Sequence, residues 1–97
     1  MFLVDMCFND MTKITPELSA LHRSYLEQHY QSNQLLFGGR KVPRTGGIII
    51  SRHSHEAELR EILAADPFIR SGAVSYTITE FSPVMAAPDC ANLFMAP

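Results

Sequence analysis

The side chains in this sequence best suited to move a proton are His22, His29 and Asp66. The two histidines lie two helical turns apart. At about 100° per residue they share one stripe with Leu18, Leu21, Tyr25 and Leu26, opposite Ser19, Ala20, Arg23, Ser24 and Glu27. Imidazole exchanges a proton close to neutral pH, and here it stands where leucine would normally serve. Either each ring closes an edge of the core with one hydrogen bond, or it faces a ligand held beneath the helix. Asp66 belongs to the stretch AADPFIRSG. Before Pro67 it reads as the N-cap of a single turn, with proline at the first helical position and Gly72 as the stop. A capping carboxylate still accepts a hydrogen bond from an imidazole, so the two roles are compatible.

Other reactive side chains are less well placed. His53 and His55 have a spacing that metal ligands can adopt, but only Glu56 stands near them at a solvated helix start, so no metal is expected. Cys7 falls inside a predicted strand and reads as a buried, inert thiol, while nothing positions Cys90. Gly38-Gly39 and Gly46-Gly47 lack phosphate-loop spacing and serve turn geometry. They bracket Arg40, Lys41 and Arg44, a basic cluster that is either a solvated hairpin tip or a grip on a carboxylate or phenolate.

The elements that must position these groups are legible from periodicity. Residues 2–8 alternate as a strand, with Phe2, Val4, Met6 and Phe8 on one face. Thr15-Pro16-Glu17 starts a helix that runs to about Tyr30. Residues 34–39 and 46–51 form a long hairpin. Ser54 caps a second helix with Glu56 and Glu58 in its first turn and Leu59, Ile62 and Leu63 on its apolar face, and Pro67 ends it. Residues 74–81 alternate as a fourth strand, and the tail from Ser82, with Pro83, Pro88 and Pro97, is assigned no regular structure. The order β-α-β-β-α-β is that of an α+β ferredoxin-like sandwich with both helices on one sheet face. Leu3, Cys7, Ile49 and Phe81 are expected on the opposite face from Val4, Met6, Ile50 and Ile78. Both faces then carry apolar groups, and a second copy of the chain is expected to cover the open one.

Composition fits this picture. The 97 residues suit one core, and 46% hydrophobic with 19% charged residues argues against disorder. A net charge of −2 without a basic run gives no footprint for nucleic acid. The apolar start is too short for a membrane span and lacks the basic residues of a signal peptide. Two distant cysteines argue against a disulfide framework, so a reducing cytoplasm is the expected setting.

With its helix-one histidine (His22), the glycine-bearing FGGR…TGG segment and above all the DPF element Asp66-Pro67-Phe68, the chain resembles the YciI-like family. The likeness covers residues 1–83 as one domain and leaves 84–97 as a C-terminal tail. It implies a dimeric α+β barrel built from ferredoxin-like protomers. It also implies a His22–Asp66 pocket dyad and acid–base chemistry without metal or cofactor on a small ring compound, through elimination, dehydrochlorination or isomerisation. Tyr25, His29, Gly39, Arg40 and Phe68 are the expected ligand contacts. The basic loop at 40–44 and the proline-containing tail depart from the family pattern and leave the substrate class open. A non-catalytic module that binds a small metabolite, or an accessory subunit, is the competing reading, because this fold hosts many unrelated functions.

Overall fold

The computed structural model describes residues 1–93. The alternating segment Phe2–Phe8 forms β1, with Phe2, Val4 and Met6 buried and the residues between them less so. Helix α1, Pro16–Gln31, begins as its cap sequence dictates: the Thr15 side chain accepts from the Leu18 N–H and proline occupies the first turn. Strands β2 (Leu35–Arg40) and β3 (Gly46–Ser51) make the hairpin. Helix α2 spans Glu56–Ala64, the single turn α3 spans Pro67–Arg70, and β4 is Val74–Glu80. Gly72 ends α3 at φ 79°, a left-handed conformation that glycine adopts at least cost.

The sheet order is β2-β3-β1-β4 with every neighbouring pair antiparallel. This is the ferredoxin-like α+β arrangement. Both helices pack on one face, where Phe2, Val4, Met6, Leu26, Leu35, Ile49, Leu59, Leu63, Phe68 and Val74 form the core. Among the described residues no helix is long and apolar enough to cross a membrane.

Several local expectations are corrected. Ile49 pairs with Val4 and is buried on the helix side, whereas Ile50 pairs with Leu3 and faces away. The assignment of these two isoleucines is therefore reversed. Sheet faces are set by cross-strand register, and a continuous run of isoleucines carries no alternation from which to read it. Ser54 is not the cap of α2. His55 holds that position without a side-chain hydrogen bond, and Glu56 and Glu58 complement the helix end by charge alone. Cys7 is exposed rather than buried, because its strand turns that side chain to the face without helices. Residues Met11–Lys13 and Pro88–Leu93 form short 3-10 turns that the sequence reading missed. The rest of the tail, residues 94–97, lies outside the described residues.

His53 is also different from expectation: it is buried, and its Nδ1 is 2.6 Å from Ser51 Oγ at the end of β3. His55 is exposed, and no group of three or more His, Cys, Asp or Glu side chains among the described residues is arranged to hold a metal ion. Burial pushes the His53 imidazole below its ordinary value near 6.5; Glu58 opposes this and His29 adds to it. The unfolded chain therefore binds the proton more readily than the fold does. Stability from this group is complete above the unfolded value and is lost as pH falls toward the folded one. We expect the urea midpoint to drop between about pH 7.5 and pH 5.5, and to drop less in His53→Gln. An identical pH dependence in the two proteins would show that His53 is not the source.

Candidate active site

Asp66 is the N-cap of α3, and its Oδ1 accepts the Phe68 N–H at 3.0 Å. The DPF sequence makes this turn locally: the residue before proline is held extended, and proline presets the first helical φ. The same carboxylate reaches across to α1. His22 Nδ1 lies 2.8 Å from Asp66 Oδ1 and 2.9 Å from Oδ2. Asp66 is fully buried, whereas the His22 side chain keeps about a fifth of its surface exposed. A carboxylate only accepts hydrogen bonds, so Nδ1 carries the hydrogen and donates, leaving Nε2 as the ring's outward nitrogen. Nε2 has no partner among the described residues. Phe68 holds the plane of the ring from the other side, stacked at 4.0 Å between centroids and 12° between planes. Phe8 in turn braces Phe68 edge-on at 6.1 Å.

Tyr25 lies outside the cavity that this imidazole borders. Its hydroxyl donates to the Ile62 carbonyl at 2.8 Å and ties α1 to the last turn of α2, just before the Asp66 break. Burial and the Asp66 charge both raise the phenol's pKa, which keeps it a donor. His29 packs edge-on against Tyr25 at 5.1 Å, and its Nε2 is buried without a hydrogen-bond partner among the described residues. Neither residue borders the cavity: Tyr25 bonds α2, and His29 packs on Tyr25.

The cavity, about 430 Å³, lies between α1 and the β1–β3 side of the sheet, a volume suited to a single-ring ligand. Its wall from α1 is formed by Ser19, His22, Arg23, Leu26, Glu27 and Tyr30, a row at helical spacing. The expected apolar stripe was therefore rotated: Leu21 is 59% exposed, while Ser19, Arg23 and Glu27, read as solvent-facing, border the cavity. The row Ser19-His22-Arg23-Leu26-Glu27-Tyr30 was present as a spacing, but its polar members hid it from a search for hydrophobic periodicity.

The opposite wall is largely backbone. Gly38, Gly39, Gly46 and Gly47 border it, with Arg40 and Arg44 beside them. At Gly38 a Cβ would come within 2.5 Å of Tyr30 Oη and 2.6 Å of the Ile48 carbonyl oxygen, so a side chain there would displace both the helix contact and the strand. Phe68 lines the inner end. His22, Gly39, Arg40 and Phe68 border one cavity, together with Arg23, Tyr30 and Arg44. Lys41 does not join them: it pairs with Asp5 at 2.5 Å and donates to Cys7 Sγ at 3.3 Å on the other face of the sheet.

A match to the YCII-related domain family spans residues 1–82, and the chain belongs to that family. Among solved structures, it is similar to the 5-chloro-2-hydroxyhydroquinone dehydrochlorinase (TftG) of Burkholderia phenoliruptrix AC1100, in complex with 2,5-dihydroxybenzoquinone. The TM-score is 0.70 over 84% of this chain and 92% of that one, at 18% sequence identity. At that identity the likeness establishes a shared fold. No curated protein matches the sequence.

Two measurements test this geometry. Asparagine at 66 keeps Oδ1, which serves both the Phe68 N–H and Nδ1, but it removes the charge and sets an N–H where Oδ2 accepted, so the preference for hydrogen on Nδ1 weakens. We expect imidazole ¹⁵N spectra to show the hydrogen of neutral His22 on Nδ1 in the parent and a larger share on Nε2 in Asp66→Asn; a parent ring with its hydrogen on Nε2 would contradict the contact. Gly38→Ala should destabilise the fold by about 1–3 kcal/mol in urea titrations, because the new methyl group overpacks the strand against Tyr30.

Proposed function

We propose that the protein is a small-molecule enzyme in which His22, oriented by Asp66, transfers protons to and from a small ring compound without a metal. The observation that carries this reading is the His22–Asp66 contact at 2.8 Å beside a cavity of single-ring size. Asp66 has no route to the ligand except through the imidazole, since it is fully buried. Its role is to hold the tautomer and to balance the positive charge that develops when Nε2 takes a proton.

The chemistry is a balanced proton transfer. A ring compound with an acidic C–H or O–H gives its proton to Nε2, and the electron pair left behind becomes a new double bond. If the adjoining carbon bears a leaving group such as chloride, that group departs with its bonding pair and the sum is loss of HX. If it does not, the imidazolium returns the proton at another atom and the sum is isomerisation. Neither route needs an oxidant. Proton transfer of this kind contributes about 10²–10⁴-fold to a rate. The dehydrochlorinase that shares the fold supports elimination as the first activity to assay.

The homodimer belongs to the same proposal. On the sheet face without helices, Leu3, Ile48 and Ile50 are half-buried and Phe37 stays 58% exposed. Cross-strand register brings Phe37 beside Ile50 and Ile50 beside Leu3, so these groups form a contiguous apolar patch. Covering that face with a second copy satisfies it by two-fold symmetry.

Two experiments test the reading. Purified protein incubated with chlorinated hydroquinones should release chloride or shift the ring's absorbance. The rate should fall about 10²–10⁴-fold in His22→Ala and less steeply in Asp66→Asn, with the fold retained in both. Full activity in His22→Ala would remove the imidazole from the mechanism. Light scattering should give about twice the mass of one chain, and Phe37→Asp should shift it toward the monomer. A parent protein that scatters as a monomer would rule the dimer out.

A further inference from the structure

The cavity's rim carries more positive charge than the proton-transfer dyad requires. Arg23 projects from α1, Arg40 from the end of β2 and Arg44 from the hairpin, and all three border the same cavity. Arg40 pairs with Gly47 across the hairpin, and Gly47 pairs with Met6, which places Arg40 on the helix-covered side. Arg44 lies over the Phe8 ring at 5.6 Å, a cation–π contact that holds it against the cavity wall. The same three arginines also border a neighbouring depression beside Ile14, Thr15 and Pro16, so they stand where the two concavities meet.

The charge here is a local concentration. The chain has eight Lys and Arg residues against ten Asp and Glu, yet three of the eight gather on this rim. Among the described residues the ion pairs are His22–Asp66, Lys41–Asp5 and Arg60–Glu56, so none of the three rim guanidinium groups has a carboxylate partner within 4.0 Å. Among the described residues Glu27 is the one acidic side chain on the cavity wall. It leaves an excess of positive charge facing a space bordered by Met6, Leu26 and Ile49, where low polarity strengthens attraction for an anion. Guanidinium forks match a carboxylate better than a single hydroxyl oxygen because they can donate two parallel hydrogen bonds.

We propose that the natural ligand is a single-ring compound bearing a carboxylate, held at the rim by Arg23, Arg40 and Arg44 while the ring reaches toward Phe68 and His22. This rests on the cavity being the ligand site of the proposed enzyme, but it does not require His22 to be catalytic. The carboxylate selects and orients the substrate, and the proton-transfer end works on the ring.

The test is calorimetric titration of the full chain with 2,5-dihydroxybenzoate and with 1,4-dihydroxybenzene, which share a ring and differ in the carboxylate. We expect the acid to bind about tenfold or more tightly than the neutral ring, as charge-assisted hydrogen bonds require. That preference should shrink at high sodium chloride and fall to about twofold or less in Arg40→Gln/Arg44→Gln, two exposed positions. His22→Gln should retain it, so a failure of the proton-transfer reading leaves this result standing. Equal affinity for the two compounds, no binding of the acid, or a preference undiminished in the double variant would each overturn the proposal.

Discussion

The buried Asp66 carboxylate is the interaction on which the rest of the site depends. A charged group this deep is costly unless its oxygens are hydrogen-bonded, and Asp66 satisfies them in two directions. One bond is local and starts α3; the other is long-range and fixes the position of His22 on α1. The turn and the imidazole are therefore linked through one side chain. The pattern explains why a four-residue helix, too short to be stable by itself, holds a defined place between α2 and β4. It also explains how α1 acquires a fixed rotation about its axis, because Tyr25 bonds the last turn of α2 only a few residues before Asp66.

That rotation gives the cavity its chemistry. With Tyr25 bonded to α2, His29 packed on Tyr25 and Leu26 in the core, the row from Ser19 to Tyr30 faces the glycine-rich wall. Glycine removes side-chain volume from one wall while α1 supplies functional groups from the other, so an open space persists beside an otherwise close-packed core. The ring of His22 is restrained by its helix, by Asp66 and by the stack on Phe68. Such restraint is what a positioned acid–base group needs, since misplacement by about 1 Å costs much of the rate.

The fold was largely legible in the residues because its signals are local. Alternation in β1 and β4, Thr15-Pro16 at the start of α1, and the proline and glycine around α3 each act within a few positions. Where the reading failed, a distant partner made the decision. Ile48-Ile49-Ile50 carries no alternation, so only pairing with β1 shows that Ile49 faces the core. Cys7 and Lys41 are brought together across the sheet by β1–β3 pairing, and His53 is drawn inward onto Ser51.

For the candidate site, the sequence by itself determined the chemical endowment: an imidazole on a helix, a capping aspartate before proline, glycines flanking a basic hairpin. It also determined the cap geometry of Asp66, since a short-range backbone constraint leaves little alternative. Tertiary structure alone decided which face of α1 meets the cavity, and hence that Arg23 and Tyr30 belong to it while Tyr25 and His29 do not. The physical reason is that a helix beside an open cavity can turn polar groups inward. Its hydrophobic stripe then no longer marks the buried side, and the packing of α1 against α3 and β2, with the Tyr25 bond to α2, sets its rotation.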